Sequence, residues 1–221
     1  MDKHTVFQGI LERGMVGIVR ADSAQAAVQI AEACIAGGIT ALEVAFTTPD
    51  TLGVLRTLRE RHGHDVLLGA GTVLDAETAR AAILAGAQFI ISPGVNVDTI
   101  ALCRRYQVLA MPGAMTPTEI VTALQAGADI VKVFPAEMFG PAYIKALRAP
   151  LPQAPLMPTG GVTVENLAEW FASGAVAVGI GSSLSGPGAK GDYAAVTQRA
   201  REFVAQLAAL RSQNSFFLRK P

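Results

Sequence analysis

The stretch GADIVKVF, residues 127–134, shows the local pattern that predicts the repeating unit of the fold. It opens with Gly127-Ala128, a small-residue stop of the kind that ends a helix, because glycine adopts the left-handed cap without steric cost. A short apolar run follows, and continuous apolarity over so few residues is typical of a parallel strand buried on both faces. The same pattern occurs three more times, after Gly37-Gly38, Gly86-Ala87 and Gly174-Ala175.

Four weaker apolar runs fill the intervals and raise the number of predicted strands to eight. The predicted strands are residues 15–19, 39–46, 66–69, 88–91, 108–111, 129–134, 154–157 and 176–180. Eight strand–helix units in 221 residues, after a short helix over about residues 2–13, predict a single (β/α)₈ TIM barrel of the α/β class. A doubly wound open sheet is the alternative, although it usually needs only five or six strands.

Two sequence signals mark helix starts between these strands. Thr48 stands before Pro49, which places a capping hydroxyl ahead of a proline at the first helical position. Thr116 and Glu119 have the spacing of a capping box, with a proline between them. Both positions are therefore predicted to begin helices.

Composition fits one barrel domain over residues 1–221, with the barrel over about 15–210 and a tail over 212–221. Hydrophobic residues form 51% of the chain and charged residues 16%, which excludes a disordered protein. Eighteen basic residues balance eighteen acidic ones, so the net charge does not favour binding to nucleic acid or to a membrane surface. Residues 1–14 contain scattered charges and no apolar core, so we predict a cytoplasmic protein without a signal peptide.

Two charged residues each stand alone in an apolar strand: Lys132 between valines, and Glu43 between a leucine and a valine. A buried lysine without a partner tends to lose its proton, and the neutral amine is a nucleophile toward carbonyls. If both side chains face the mouth of one barrel, the carboxylate can act as general base and acid for carbonyl addition. The alternatives are a lysine that reaches solvent from a strand end and a purely structural ion pair.

Glycine-rich turns follow the last two predicted strands, PTGGVT at residues 158–163 and GIGSS at residues 179–183. In barrels, the loops after strands seven and eight often bind phosphate, because backbone N–H groups at a helix N-terminus face the anion. Arg20 ends the first strand, where it is suited to hold a carboxylate or phosphate, unless it is simply solvated.

Several kinds of site are absent from the sequence. The three histidines, His4, His62 and His64, lie away from the strand ends and have no ligand spacing, which excludes a zinc site and a Ser-His-Asp triad. Cys34 and Cys103 lie in predicted helices and are interpreted as packing residues rather than a disulfide framework. There is no dinucleotide fingerprint and no P-loop.

Six motifs occur in the order seen in one known family. They are EVAFTTP at 43–49, GAGTV at 69–73, ISPG at 91–94, MPGAMTPTE at 111–119, VKVFPAE at 131–137 and PTGGV at 158–162. Through them, from about residue 15 to residue 210, the sequence resembles the 2-keto-3-deoxy-6-phosphogluconate (KDPG) / 4-hydroxy-2-oxoglutarate (KHG) aldolases. The resemblance implies a (β/α)₈ barrel that is usually a homotrimer and acts without a metal or organic cofactor.

The resemblance also implies site residues. Lys132 looks like the lysine that forms a Schiff base with pyruvate, and Glu43 looks like the proton shuttle. Thr72 resembles the threonine that lines the pyruvate site, and Phe134 the aromatic residue beside it. Four residues would hold the phosphate of the aldehyde half: Thr159, Gly160, Gly161 and Ser182.

The chain departs from many members of the family at Thr47, where they carry an arginine that binds the keto-acid carboxylate. Some relatives share this Thr-Thr-Pro version, and in them an arginine after the first strand is placed for the same task. Arg20 matches that arginine, so the resemblance implies that Arg20 holds the carboxylate.

The implied reaction is reversible cleavage of KDPG to pyruvate and D-glyceraldehyde 3-phosphate, with KHG as a further substrate. The implied partners are therefore a phosphorylated keto acid and pyruvate. An aldolase for the galactonate epimer is one alternative, and a phosphate-binding barrel isomerase or synthase is another. A catalytically silent binding protein is disfavoured because both lone charged residues are present.

Overall fold

The computed structural model describes residues 1–213, in which helices and parallel strands alternate. The helices are α1 (Lys3–Arg13), α2 (Ala24–Ala36), α3 (Thr51–His62), α4 (Ala76–Leu84), α5 (Val97–Tyr106), α6 (Pro117–Ala126), α7 (Pro141–Arg148), α8 (Leu167–Ala172), α9 (Ser182–Ser185) and α10 (Tyr193–Gln213). The strands are β1 (Met15–Val19), β2 (Ala41–Ala45), β3 (Leu67–Gly71), β4 (Phe89–Ile91), β5 (Leu109–Met111), β6 (Gly113–Ala114), β7 (Val131–Val133), β8 (Leu156–Pro158) and β9 (Val178–Ile180). The segments Ala136–Met138 and Gly186–Lys190 are short 3₁₀ helices.

The predicted α/β architecture with parallel strands is confirmed, and the strands pair in two sheets. One sheet has six strands in the order β5-β4-β3-β2-β1-β9, and the other has three in the order β6-β7-β8. Eight of these strands overlap the eight predicted runs. The short strand β6, which follows β5 after Pro112, was not predicted. An isolated parallel bridge between Thr159, the residue after β8, and Gly179, the middle residue of β9, links the two strands.

The helix boundaries follow local chemistry. Four glycines in the small-residue stops, Gly38, Gly86, Gly127 and Gly174, have φ angles between 97° and 104°, which is the left-handed conformation that the pattern predicted.

The helix starts are confirmed at one position and wrong at the other. Thr116 and Glu119 form the predicted capping box at the start of α6. The predicted cap at Thr48 is wrong, because α3 begins at Thr51 and is capped by Asp50. The Thr48 hydroxyl instead accepts a hydrogen bond from the N–H of Ala21, at 3.3 Å.

Helix α1 covers the amino-terminal ends of the strands. Its residues Val6 and Ile10 are buried in one cluster with Leu67, Phe89 and Leu109, which are the first residues of β3, β4 and β5. A larger cluster fills the space between the strands and the surrounding helices. The packed side chains of α1 therefore close the amino-terminal ends of these strands, and the space for a ligand lies at their carboxyl ends.

Both cysteines are buried in helices, as predicted. Burial raises the pKa of the Cys34 thiol to about 12, and burial beside Asp129 raises the pKa of the Cys103 thiol to about 12. Across residues 1–213, no helix is both long enough and apolar enough to cross a membrane. Of the predicted tail over 212–221, Ser212 belongs to α10, and the part from residue 214 onward lies outside the described residues.

Candidate active site

A cavity of about 960 Å³ opens at the carboxyl ends of the strands. Its volume is within the usual range for small-molecule sites in proteins. The structure brings all nine predicted site residues to its walls: Arg20, Glu43, Thr72, Lys132, Phe134, Thr159, Gly160, Gly161 and Ser182.

Lys132 and Glu43 meet at the base of this cavity. Lys132 is the central residue of β7 and Glu43 is the central residue of β2, so each side chain is held by a strand. The Nζ atom of Lys132 lies 3.8 Å from Oε1 of Glu43, and the side chains are only 8% and 2% exposed. The second carboxylate oxygen of Glu43, Oε2, is buried and has no hydrogen-bond partner among residues 1–213. An amine and an acid with one unused oxygen therefore face the same enclosed space.

Gly71 leaves the space that the Glu43 carboxylate occupies. A Cβ atom at Gly71 would overlap both Oε1 and Cδ of Glu43. The φ angle of Gly71 is not in the left-handed region, so room for the carboxylate, rather than backbone conformation, requires glycine here.

Phe134 lies beside the amine, and Thr72 lines the same cavity. Thr72 follows β3 with φ at 57°, which is rare for a β-branched residue and indicates local strain of a kind common at functional sites. The Phe134 ring centroid is 5.1 Å from Nζ of Lys132, and the side chain is 38% exposed. Together they form a half-buried wall next to the reactive group.

The turn after β8 presents free backbone N–H groups to the cavity. Gly160 and Gly161 have φ angles of 100° and 70°, and their N–H groups have no hydrogen-bond acceptor within residues 1–213. The Oγ1 atom of Thr159 is buried and lacks a hydrogen-bond partner in the described part of the chain. Unpaired donors in a concave backbone turn are suited to an anion.

The turn after β9 is hydrogen-bonded to the turn after β8. Ser182, the first residue of α9, is exposed at the cavity wall. The hydroxyl of Ser183 donates to the carbonyl of Val162, and Arg199 donates to the carbonyl of Ser183 at 2.6 Å. The two glycine-rich turns are therefore held together on one side of the cavity.

Arg20 reaches the cavity from the end of β1, whereas Thr47 is exposed and is not part of the cavity wall. The Arg20 guanidinium has no ion-pair partner among residues 1–213. It is therefore available to an anionic group of a ligand.

The cavity wall also contains two acidic residues, Asp22 and Glu137, for which the sequence predicted no role. Each lies a few residues beyond the carboxyl end of a strand, and that position is the signal that indicates a site residue in such a fold. Within residues 1–213, no group of three or more His, Cys, Asp or Glu side chains is arranged to hold a metal ion.

Comparison with known proteins identifies the family of this chain. The family model for KDPG and KHG aldolases matches residues 8–199. The chain belongs to the KDPG and KHG aldolase family.

Three relatives illustrate how similar this aldolase family member is to characterised proteins. It is 40% identical over 197 residues to the 2-dehydro-3-deoxy-phosphogluconate aldolase of Treponema pallidum, covering 87% of this chain and 93% of the relative. It is 37% identical over 171 residues to the 2-dehydro-3-deoxy-6-phosphogalactonate aldolase of Escherichia coli, covering 77% and 83%.

The third relative is a solved structure. The KDPG aldolase of Legionella pneumophila, with pyruvate captured at low pH as a covalent carbinolamine, superposes with a TM-score of 0.79 at 28% identity. The match covers 91% of this chain and 97% of that one. The likeness therefore extends over nearly the whole fold.

Proposed function

We propose that this chain is a class I aldolase that reversibly cleaves KDPG to pyruvate and D-glyceraldehyde 3-phosphate. The observation that carries the proposal is the buried contact of 3.8 Å between Lys132 and Glu43. An amine and a carboxylate in one enclosed cavity supply a nucleophile for a ketone and a group that moves protons. This pair, together with the family, favours an aldolase over a phosphate-binding isomerase or synthase.

Lys132 forms the covalent bond to substrate. Its amine adds to the C2 ketone of KDPG to give a carbinolamine, and loss of water gives a protonated imine. The imine draws electrons from the C3–C4 bond as that bond breaks, so that an enamine and the aldehyde are formed. Protonation of the enamine at C3 and hydrolysis of the imine release pyruvate and regenerate the amine.

Glu43 moves the protons in these steps. It first moves protons to and from the carbinolamine as this intermediate forms and loses water. It then accepts the proton of the C4 hydroxyl as the C3–C4 bond breaks. Its unpartnered Oε2 is available for this role. A positioned general acid–base of this kind typically contributes about 10²- to 10⁴-fold to the rate.

The remaining site residues bind the two ends of the substrate. Thr72 and Phe134 line the pyruvate half beside Lys132, and Arg20 holds the carboxylate of the keto acid in place of the arginine that many relatives carry at position 47. The phosphate lies against the two glycine-rich turns, where it accepts hydrogen bonds from four residues: Thr159, Gly160, Gly161 and Ser182.

The fold and the assembly follow the family. The two sheets form one closed (β/α)₈ barrel in a single domain, and this is supported by the bridge between Thr159 and Gly179 and by the chain that runs directly from β5 into β6. The enzyme is a cytoplasmic homotrimer that needs neither a metal nor an organic cofactor.

A second candidate substrate is the phosphogalactonate epimer, because one relative at 37% identity has that substrate in its name. KHG, which lacks the phosphate, is the third.

Measuring the release of pyruvate from KDPG, its galactonate epimer and KHG, with lactate dehydrogenase and NADH as the detection system, tests the proposal. We expect the highest kcat/KM with KDPG. Highest kcat/KM with the epimer would assign the second candidate, and no pyruvate from any of the three would refute an aldolase.

A further inference from the structure

The carboxylate of Glu137 lies directly against the glycine turn after β8. The 3₁₀ helix Ala136–Met138 packs on this turn, and the N–H of Ala136 donates to the carbonyl of Thr159 at 2.9 Å. A Cβ atom at Gly160 would overlap Oε2 of Glu137, and a Cβ atom at Gly161 would lie 2.6 Å from Cβ of Glu137. The carboxylate therefore stands beside the N–H groups that would face an anion.

No positive charge compensates this carboxylate. Glu137 is exposed at the cavity wall and takes part in no ion pair among residues 1–213. Apart from the Lys132–Glu43 pair, the charged residues that the described part of the chain contributes to the wall are one cation, Arg20, and two anions, Asp22 and Glu137. A cavity proposed to receive a phosphorylated keto acid thus carries an excess of negative charge on its own wall.

We propose that Glu137 is a specificity-determining residue that weakens the binding of the phosphate end of substrate and product. The inference rests on the proposed function, since it concerns the same site. A phosphate group carries about 1.5 to 2 negative charges at pH 7. At a few ångströms from a carboxylate in a partly solvated cavity, it is repelled by enough to change its affinity about three- to tenfold.

The repulsion acts most strongly on phosphorylated substrates. KDPG and glyceraldehyde 3-phosphate place a phosphate at the glycine turns, whereas KHG is shorter and ends in a C5 carboxylate with a single charge. Glu137 therefore reduces the preference of the enzyme for phosphorylated substrates over phosphate-free ones, and it favours release of the phosphorylated aldehyde after cleavage.

The test uses Glu137→Gln and Glu137→Ala, with Glu169→Gln as the matched control. Glu169 is an exposed residue of α8 outside the cavity wall, so its substitution removes the same charge elsewhere. The alanine variant removes the charge without adding a donor to the phosphate site. The readouts are the inhibition constant of inorganic phosphate and the ratio of kcat/KM for KDPG to kcat/KM for KHG.

Both Glu137 variants are expected to lower the inhibition constant of phosphate, and to raise the KDPG-to-KHG ratio, by about three- to tenfold, with the gain shrinking at high salt. Glu169→Gln is expected to change neither. Unchanged phosphate inhibition would overturn the inference, and so would weaker binding of KDPG, which would show that Glu137 accepts a hydrogen bond from substrate. Wild-type enzyme that cleaves none of the substrates would instead refute the proposed function.

Discussion

The two ends of the cavity are built in different ways. At the Lys132–Glu43 end, strand side chains are almost completely buried and are fitted against one another, with Gly71 leaving room for the carboxylate. At the glycine-turn end, exposed backbone in left-handed conformation presents free N–H groups. We infer that packing fixes the chemistry, whereas loop conformation fixes the recognition of the phosphate. Changes at the first end should lower kcat for every substrate, and changes at the second should alter KM mainly for phosphorylated substrates.

The largest effect is expected at the amine. Lys132→Met should lower kcat for KDPG and KHG alike by about 10⁴-fold or more, because the nucleophile is lost. Lys132→Arg is the companion variant, since it places a permanently charged guanidinium beside Glu43 that cannot act as the nucleophile. Steady-state kinetics of both, with circular dichroism to verify folding, measure the effect. Substantial activity in either folded variant would show that Lys132 is not the nucleophile.

Substitution of the acid should separate proton transfer from binding. Glu43→Gln keeps the shape of the side chain and removes its basicity, so kcat should fall by about 10²- to 10⁴-fold for all substrates. The affinity for pyruvate, measured by inhibition of cleavage, should change much less than kcat. An unchanged kcat would remove Glu43 from the mechanism.

Much of this arrangement was predictable from the sequence, for identifiable reasons. Lys132 and Glu43 stood out because a lone charge in an apolar strand is costly to bury. The sequence predicted that the two side chains could meet at the mouth of one barrel. It did not predict the distance of 3.8 Å between them or the place of Gly71 against Glu43, because both depend on how strands far apart in the chain align. The break at Pro112 and the cap at Asp50 were missed since they depend on local hydrogen bonding. Glu137 was missed because an exposed acid is ordinary in a sequence and notable only beside the turn it contacts.

Gly71 tests whether packing fixes the catalytic pair. Gly71→Ala should lower kcat by about 10²-fold for KDPG and KHG alike, because the new Cβ displaces the Glu43 carboxylate. Gly94→Ala is the matched control, since a Cβ there meets nothing within 4 Å and should leave kcat unchanged. Equal kinetics for the two variants would show that the position of the carboxylate is not critical.

The smallest effect is expected at the other end of the cavity. Ser182→Ala should raise KM for KDPG by about tenfold, the value of one hydrogen bond to a charged group, and should leave kcat and the kinetics with KHG unchanged. Kinetics with both substrates measure this difference. A parallel loss with KHG would show that the two ends are not independent.

Reductive trapping of pyruvate tests the central claim most directly. Wild-type protein is incubated with pyruvate and sodium borohydride, digested, and mapped by mass spectrometry. We predict one reduced pyruvate adduct per chain, on the peptide that contains Lys132, together with loss of activity in proportion to labelling. No adduct, or an adduct on a surface lysine such as Lys145 while Lys132 stays unmodified, would contradict imine formation in this cavity.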